Sequence, residues 1–421
     1  MLHKDIKIVN SKISLCYIGS VTPDEPDFHN AGFSRAGNMC QLSLLFGLIN
    51  AGLTPSTVLS LRPMPSFPRS RQILVRKSRA TAEHRILLDF LPFINITPIK
   101  QVTIGFSALW NILRWGWRMR HTPYRVVYTF NITVPSAAFT LLGAWITRSK
   151  AVAMIYDINM PGETAPSTCF YKLDYWLHKK LLPLFDGLVV ITDSISNDFA
   201  PKIPFIRVEG GIKNELVQRF TNVKRKMRSA NAKYPFTLVV AGGLDEANGI
   251  SVILEAFSLL DGDNYRLEIA GAGPLENMVR QAANRDERIN FHGFISFDEV
   301  LKLYDSADVL VNMRLTKAIN TRYFFPSKIM ECLTSGVPVI STCPGHVSEE
   351  FSDVAFLLKE ESPVDLANMV KYVASLAPDI RADKAVKAQE YMIRNKTWDV
   401  QGLRVVKFIN SLLESDERKV D

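Results

Sequence analysis

Phe325-Pro326-Ser327-Lys328-Ile329-Met330-Glu331-Cys332-Leu333-Thr334-Ser335-Gly336-Val337-Pro338-Val339-Ile340 reads as a loop, a short helix, a glycine stop and a buried strand. Pro326 holds the entering chain extended, and Ser327 is a good N-cap. Gly336 supplies the stop, and 337–340 is a β-branched run suited to a parallel sheet. The first amides of the helix, from Lys328 to Met330, are expected to point at whatever sits at its N-terminus, an end that favours anions and phosphate above all. Glu331 lies one turn further, on the side of Lys328. A cation, free N–H groups and a carboxylate acceptor together suit a nucleotide-sugar diphosphate. The same spacing also fits an ordinary αβ unit whose Lys328 and Glu331 form a surface pair.

With 421 residues, 47% of them hydrophobic and 22% charged, the chain is globular and long enough for two large domains. No apolar run approaches the roughly 18 residues that span a bilayer. The longest, 137–146, is a core-helix candidate. Met1-Leu2-His3-Lys4-Asp5 carries no apolar h-region, so no secretory signal is expected. Cys16, Cys40, Cys169, Cys332 and Cys343 are scattered and include no C-x-x-C pair, which points to free thiols in a reducing cytoplasm. The seven histidines form no H-x-x-x-H or H-E-x-x-H spacing, so no protein-built metal site is expected.

Charge is uneven. Residues 1–220 hold 25 Lys and Arg against 14 Asp and Glu, whereas the remainder holds 25 against 28, so the whole positive excess lies in the first half. Arg69, Arg71, Arg76, Lys77 and Arg79 form one cluster. A second is the helical segment 106–120, where Phe106, Leu109, Trp110, Leu113 and Trp117 share a face and Arg114 and Arg118 lie off it. Such a helix either lies in an anionic membrane interface or packs its aromatic face on its own domain. No stacking motif or nucleic-acid module accompanies the charge, so nucleic acid is not an expected partner.

Apolar strands alternate with helix-like segments, which predicts parallel sheets covered on both faces. In the first half the strands fall at 13–18, 126–129, 151–156, 188–192 and 205–208. A loop around Ala36-Gly37-Asn38 leads into a helix over 41–50, placing Gly37 where backbone approaches a ligand at a sheet edge. The polar, basic stretch 213–235, with Lys224-Arg225-Lys226, reads as a connector. In the second half, strand 236–241 runs into Gly242-Gly243-Leu244-Asp245-Glu246-Ala247-Asn248-Gly249 and a helix over 250–260. Strand 265–270 precedes Gly271-Ala272-Gly273-Pro274 and a helix through Arg280. Strand and turn 289–294, helix 296–304 and strand 309–312 complete the series. Glycine-rich turns following the strands in order predict a nucleotide site at the carboxyl strand ends.

The run 239–341 resembles the C-terminal domain of the retaining glycosyltransferases of family 4, often called group 1, which have the GT-B fold. The matching elements are Gly242-Gly243-Leu244 with Asn248-Gly249, the Gly271-Ala272-Gly273-Pro274 turn, Phe291 with Gly293, Tyr304 with Ala307-Asp308-Val309, and Glu331 through Val339. A subgroup from bacterial capsule and exopolysaccharide assembly is similar also in Val311-Asn312-Met313-Arg314 and in the Phe-Pro-Ser-Lys of 325–328. Ala36-Gly37-Asn38, Asp89-Phe90-Leu91-Pro92-Phe93-Ile94-Asn95 and Asp186-Gly187-Leu188-Val189-Val190 extend the resemblance over the first half.

The resemblance implies an α/β protein of the GT-B fold, with two Rossmann-like domains facing across a cleft. Residues 1–212 would form the acceptor-side domain, 213–235 the connector, 236–392 the nucleotide-sugar domain and 393–421 a crossover helix returning to the first. It implies a retaining hexosyltransferase with a UDP- or GDP-sugar as co-substrate and no other cofactor. Beside the resemblance, the basic, aromatic first domain points to a lipid-linked glycan as acceptor and to contact with the inner-membrane surface, and the scattered thiols point to a cytoplasmic enzyme.

The implied donor-binding residues are Gly37, Gly243, Gly273, Phe294, Ser327 and Glu331, with Glu331 accepting from ribose hydroxyls and the Gly293-Phe294 turn holding the base. The implied catalytic residues are Arg314, Lys328 and Asp157; Asp157 either orients a sugar hydroxyl or caps the turn that follows it. The family's usual donor-phosphate Arg and Lys are replaced here by Gly243 and Asn248, and the first of its paired glutamates by Tyr323. Arg314, Lys328 and the helix end at Ser327 are the cations and donors left to meet a diphosphate leaving group. A non-catalytic GT-B partner subunit in polysaccharide assembly and a sugar-nucleotide epimerase are the other readings.

Overall fold

Seven consecutive buried residues make β1 (Ile13–Gly19) an interior strand, and the sheet grows outward from it. The structure, a computed structural model, describes residues 12–28, 32–131, 134–163, 165–221, 235–317 and 321–417. The readings made on Met1-Leu2-His3-Lys4-Asp5 and on Lys224-Arg225-Lys226 lie outside the described residues. After β1 come α1 (Arg35–Asn50), β2 (Thr57–Ser60), β3 (Leu74–Val75), β4 (Ser78–Thr81), β5 (Leu87–Phe90) and β6 (Phe93–Ile94). Then follow α2 (Ile99–Arg118), β7 (Tyr124–Phe130), α3 (Val134–Ile146), β8 (Lys150–Ile155), α4 (Cys169–Leu181), β9 (Gly187–Val190), α5 (Asp193–Phe199) and β10 (Phe205–Arg207). Eight strands pair in the order β10-β9-β8-β7-β1-β2-β5-β4. All neighbours are parallel except β4 on β5. The short β3 and β6 form a separate antiparallel ribbon.

The chain continues through α6 (Asn214–Thr221), β11 (Phe236–Gly243), α7 (Ile250–Ser258), β12 (Tyr265–Ala272), α8 (Glu276–Arg285), β13 (Ile289–Phe291), α9 (Phe297–Ser306) and β14 (Val309–Asn312). It ends with α10 (Lys328–Thr334), β15 (Val339–Ser341), α11 (Val347–Phe351), β16 (Phe356–Leu357), α12 (Pro363–Ser375), α13 (Pro378–Asn395) and α14 (Trp398–Glu417). Six parallel strands pair as β13-β12-β11-β14-β15-β16, with β11 central, so the carboxyl ends of all six share one edge.

Two compact units result. One takes the chain up to Gly211 and resumes at Trp398; the other is Ile212–Thr397. Each has its own apolar core. In the first, Leu42, Leu45 and Leu48 of α1 meet Val405, Val406 and Ile409 of α14. The two helices cross so closely that a Cβ on Gly47 would run into the carbonyl oxygen of Trp398, and one on Gly402 into the backbone of Gly47. The final helix therefore packs on the N-terminal unit. α6 occupies part of the stretch expected to be a connector and belongs to the second unit.

Three local expectations differ from what is found. β2 and β5 were not anticipated; each is a four-residue stretch broken by polar Thr57 and Ser60 or by Asp89, with no glycine turn to mark its end. Helix α1 begins at Arg35 rather than after Asn38, because Ser34 is extended and its hydroxyl accepts from the Gly37 amide, making a good N-cap. The aromatic stripe of α2 does not pack inward: Ile104, Gly105, Ala108, Ile112, Trp115 and Gly116 form the buried face, leaving Phe106, Trp110 and Trp117 exposed. Among the described residues no helix is long and apolar enough to cross a membrane.

Candidate functional site

The central strand β11 ends in Gly242-Gly243, and the geometry there admits little but glycine. Gly242 has φ 145° and Gly271, at the matching position of β12, has φ 148°. A side chain on Gly271 would strike the Gly242 carbonyl, and one on Gly273 would strike the backbone of Leu244. The Leu244 amide donates to Ala272 O at 3.0 Å, and the Leu275 amide donates to Leu244 O at 2.9 Å. The Gly271 amide donates to Gly293 O at 2.8 Å. Three post-strand turns are thereby laced into one surface at the carboxyl edge of the sheet. Gly243, Gly273 and the Gly293-Phe294 turn belong to it. Phe294 itself is 84% exposed.

Lys328 reaches the same surface from the first residue of α10. Its ammonium lies over Gly242, where a Cβ would come within 2.7 Å of Nζ. Arg314 arrives from the end of β14. Its main chain is held by Thr342, whose hydroxyl accepts from the Arg314 amide at 2.8 Å and donates to its carbonyl at 3.0 Å. Its Nη1 donates to Asn248 Oδ1 at 2.7 Å, and Asn248 Nδ2 in turn donates to the Gly243 carbonyl at 3.0 Å. The guanidinium stacks 4.9 Å from the Phe324 ring centroid. Its Nε is buried without a hydrogen-bond partner among the described residues. Two cations thus converge on the Gly242-Gly243 turn, one above it and one braced to it through Asn248.

Glu331 sits a turn beyond Lys328 and accepts from the buried Tyr304 hydroxyl at 3.1 Å. Burial pushes its carboxyl above the ordinary glutamate range; the Lys328 charge and the Tyr304 hydrogen bond pull the other way. Ser327 does not cap α10. It is itself in helical conformation, its hydroxyl makes no cap bond, and it is exposed. Pro326 and Ser327 instead supply carbonyls to the amides of Ile329 and Met330, at 3.0 and 3.1 Å. Of the amides expected to be free, only that of Lys328 finds no backbone acceptor among the described residues. A tight opening turn has consumed the others.

Gly37 and Asp157 belong to the first unit. Gly37 lies inside the first turn of α1, with its amide already bound by Ser34 Oγ at 3.1 Å, so its N–H is not a free donor. The neighbouring Asn38 and Gln41 clamp the β1–α1 loop instead: Asn38 exchanges bonds of 2.9 and 3.0 Å with the Thr22 backbone, and Gln41 Oε1 accepts from the Ser20 amide at 2.9 Å. Asp157 follows β8, is exposed, and accepts from Asn131 Nδ2 at 3.0 Å. Asn131 closes β7 at φ 42°, a conformation asparagine tolerates, and its Oδ1 accepts from the amides of Tyr156 and Asp157 at 2.7 and 3.2 Å. The carboxylate is aimed by the adjacent strand.

Sequence reasoning missed Asn248, Phe324 and Thr342 as the supports of Arg314. The signal available was the Asn248-Gly249 pair. Gly249 has φ 68°, which forces a tight turn and presents Asn248 toward β14.

Two Rossmann-like α/β units, the second with its glycine turns at one strand edge, define the GT-B fold. Residues 235–375 match the family profile "Glycosyl transferases group 1", which covers most of the second unit. WcaL of Escherichia coli (strain K12), named as a colanic acid biosynthesis glycosyltransferase, is 28% identical over 163 residues, 37% of this chain and 40% of that relative's length. AmsK of Erwinia amylovora, named as an amylovoran biosynthesis glycosyltransferase, is 28% identical over 122 residues, 28% of this chain and 30% of that protein. Among solved structures, Anabaena Alr3699/HepE in complex with UDP superposes with TM-score 0.62 at 14% identity, covering 94% of this chain and all of that one. Sucrose-phosphate synthase of Thermosynechococcus elongatus gives TM-score 0.60 at 15% identity over 96% of this chain. At these identities the structural likeness speaks for the fold.

Proposed function

We propose that this protein is a retaining glycosyltransferase that moves a hexose-type sugar from a nucleotide diphosphate sugar, UDP- or GDP-linked, onto a lipid-linked precursor of a cell-surface polysaccharide. The observation that carries this reading is the convergence of Lys328 and Arg314 on the Gly242-Gly243 turn, with Glu331 one helical turn away. Breaking the sugar–phosphate bond leaves charge on the diphosphate, and cations fixed beforehand stabilise it without reorganising at that moment. The glycine turn lets backbone approach the phosphates. Glu331, ionised, is the acceptor for ribose hydroxyls, and the Gly293-Phe294 turn is the seat for the base. Asp157 is the first unit's candidate for orienting an incoming hydroxyl. Similarity to WcaL and AmsK supports an exopolysaccharide pathway.

Replacement of the family's usual phosphate-binding cations by Gly243 and Asn248 is the observation favouring a non-catalytic subunit. Asn248, however, braces Arg314, which supports a relocated cation rather than a lost one. Calorimetry with UDP and GDP on the wild type, Lys328→Ala and Glu331→Ala tests the reading. One nucleotide should bind in the micromolar range and weaken about tenfold with either substitution. Folded protein that binds neither nucleotide would overturn it. Release of nucleotide diphosphate only when a lipid-linked acceptor is present would separate transfer from epimerisation.

A further inference from the structure

Four of the six tryptophans lie on the surface of the first unit. Trp110 and Trp117 of α2 are each 68% exposed, Trp145 of α3 is 77% and Trp176 of α4 is 53%; only Trp115 and Trp398 are buried. A side chain this large and apolar is ordinarily well covered, so a set of four exposed ones marks a contact surface.

The fold holds two of them, Trp117 and Trp145, at one end of paired helices. α2 and α3 pack in parallel through three glycine contacts: Gly105 lies against the Phe139 ring, Ile112 against Gly143, and Gly116 against Thr147. With glycine and alanine turned inward, the bulky residues of α2 face outward. Arg125 ties the two helix ends, donating to Thr147 O at 3.1 Å and to Met119 O at 3.3 Å. Trp117 and Trp145 therefore project from a fixed corner. Trp145, Ile146 and Leu184 line one open cavity there, and Leu184, itself exposed, follows the end of α4.

Charge decides what covers this surface. Between Asp89 and Asp157 the sequence contains no acidic residue, so α2 and α3 carry none, while Arg114, Arg118, Arg120 and Arg148 are exposed. Arg120 lies 4.8 Å from the Trp117 ring and Lys180 lies 5.8 Å from that of Trp176, keeping cations beside the indoles. A second copy would set this positive face against itself. Asp174 of α4 is largely covered beside His178, and Asp186, which lines the cavity, is paired with Lys150 at 2.9 Å, so the face presents indole with arginine, the composition that sits at the headgroup level of an anionic bilayer.

We propose that the tryptophan-bearing face of α2, α3 and α4 seats this protein on an anionic lipid surface. It deepens the proposed function, whose lipid-linked acceptor lies in a bilayer, yet it lies on residues distinct from the nucleotide site and is tested without donor or acceptor.

The test is co-sedimentation of the full chain with phosphatidylcholine vesicles and with vesicles of equal parts phosphatidylcholine and phosphatidylglycerol. The expected result is binding to the mixed vesicles only, weakened by added salt, with tryptophan emission moving to the blue. The exposed pairs Trp117→Ser/Trp145→Ser and Arg114→Glu/Arg118→Glu should each lower binding about tenfold or more while thermal melting stays unchanged. No binding by folded protein, equal binding to both vesicles, or binding that neither pair weakens would overturn the proposal. So would a wild-type dimer that Trp117→Ser/Trp145→Ser converts to monomer. Failure here leaves the transferase reading intact, and failure to bind nucleotide leaves this one intact.

Discussion

Asn248 Oδ1 accepts a 2.7 Å hydrogen bond from Arg314 Nη1, while Asn248 Nδ2 donates to the carbonyl of Gly243. One amide side chain thus joins the end of β14 to the turn after β11, and it fixes a guanidinium that has no carboxylate partner among the described residues. Asn248→Ala should release Arg314 and weaken nucleotide affinity roughly tenfold, in keeping with one hydrogen bond to a charged group. Asn248→Asp should weaken it more, because a carboxylate would hold the guanidinium in an ion pair and repel a diphosphate. Calorimetry on both variants, with melting curves to establish folding, checks the order.

The glycines of the strand ends make a second set of expectations. Gly242→Ala places a methyl 2.7 Å from Lys328 Nζ at φ 145°, so it should both strain the backbone by about 1–3 kcal/mol and displace the ammonium. A flexible lysine can retreat; backbone cannot. Gly271→Ala, whose methyl would meet the Gly242 carbonyl, should therefore lower the melting temperature more than Gly242→Ala, whereas Gly262→Ala, with open space around it, should pay only the cost of its φ of 75°.

Glu331 predicts a pH dependence. Burial raises its carboxyl, and Lys328 with Tyr304 partly offsets the rise. The folded protein holds the proton more tightly than the unfolded chain, so the stability this group contributes is complete below the unfolded carboxyl's value of about 4.3 and is lost as pH rises through the raised folded value. Glu331→Gln should accordingly melt higher than the wild type at neutral pH, with the gap closing on acidification. A ribose-accepting carboxylate must be ionised, so nucleotide affinity should fade as pH falls, and at a higher pH in Lys328→Met than in the wild type. Melting curves and calorimetry over the same pH series read both effects.

Helix α14 meets α1 through Gly47 and Gly402, and any side chain at either position collides with backbone. Gly402→Ala should destabilise the first unit by about 1–3 kcal/mol, the usual range for overpacking, and leave nucleotide binding by the second unit largely unchanged. Thermal unfolding followed with and without UDP or GDP distinguishes the two units.

The second unit was largely readable in the sequence because β11 and β12 are eight residues long and its turns are marked by glycine. β14 falls at 309–312, as its apolar Val309-Leu310-Val311 indicates. The first unit was less readable. β2, β4 and β5 are four residues long and carry Thr57 and Ser60, Ser78, Arg79 and Thr81, and Asp89, with no glycine turn at their ends, so neither period nor composition distinguishes them from loop. The start of α1 was placed late because Gly37 resembles a turn residue; Ser34, three residues before it, was the stronger mark. At the site, Lys328 and Glu331 could be paired by helical spacing alone. The brace on Arg314 could not, because Asn248 and Arg314 are 66 positions apart and meet only through parallel pairing of β11 with β14. The Ser327 cap failed for a local reason: after Pro326 the chain enters the helix already coiled.

The close crossing of α1 and α14 also sets an order of assembly during synthesis. The core of the first unit is closed by Val405, Val406, Ile409, Leu412 and Leu413, all on the 20-residue helix Trp398–Glu417. Leu42 to Leu48, which they cover, leave the ribosome some 350 residues earlier, and Gly187, against which Leu412 lies, some 225 earlier. The intervening Ile212–Thr397 can complete its own core first. The first unit must therefore wait for α14, and a nascent chain stopped before Trp398 would carry a finished second unit behind an unfinished first.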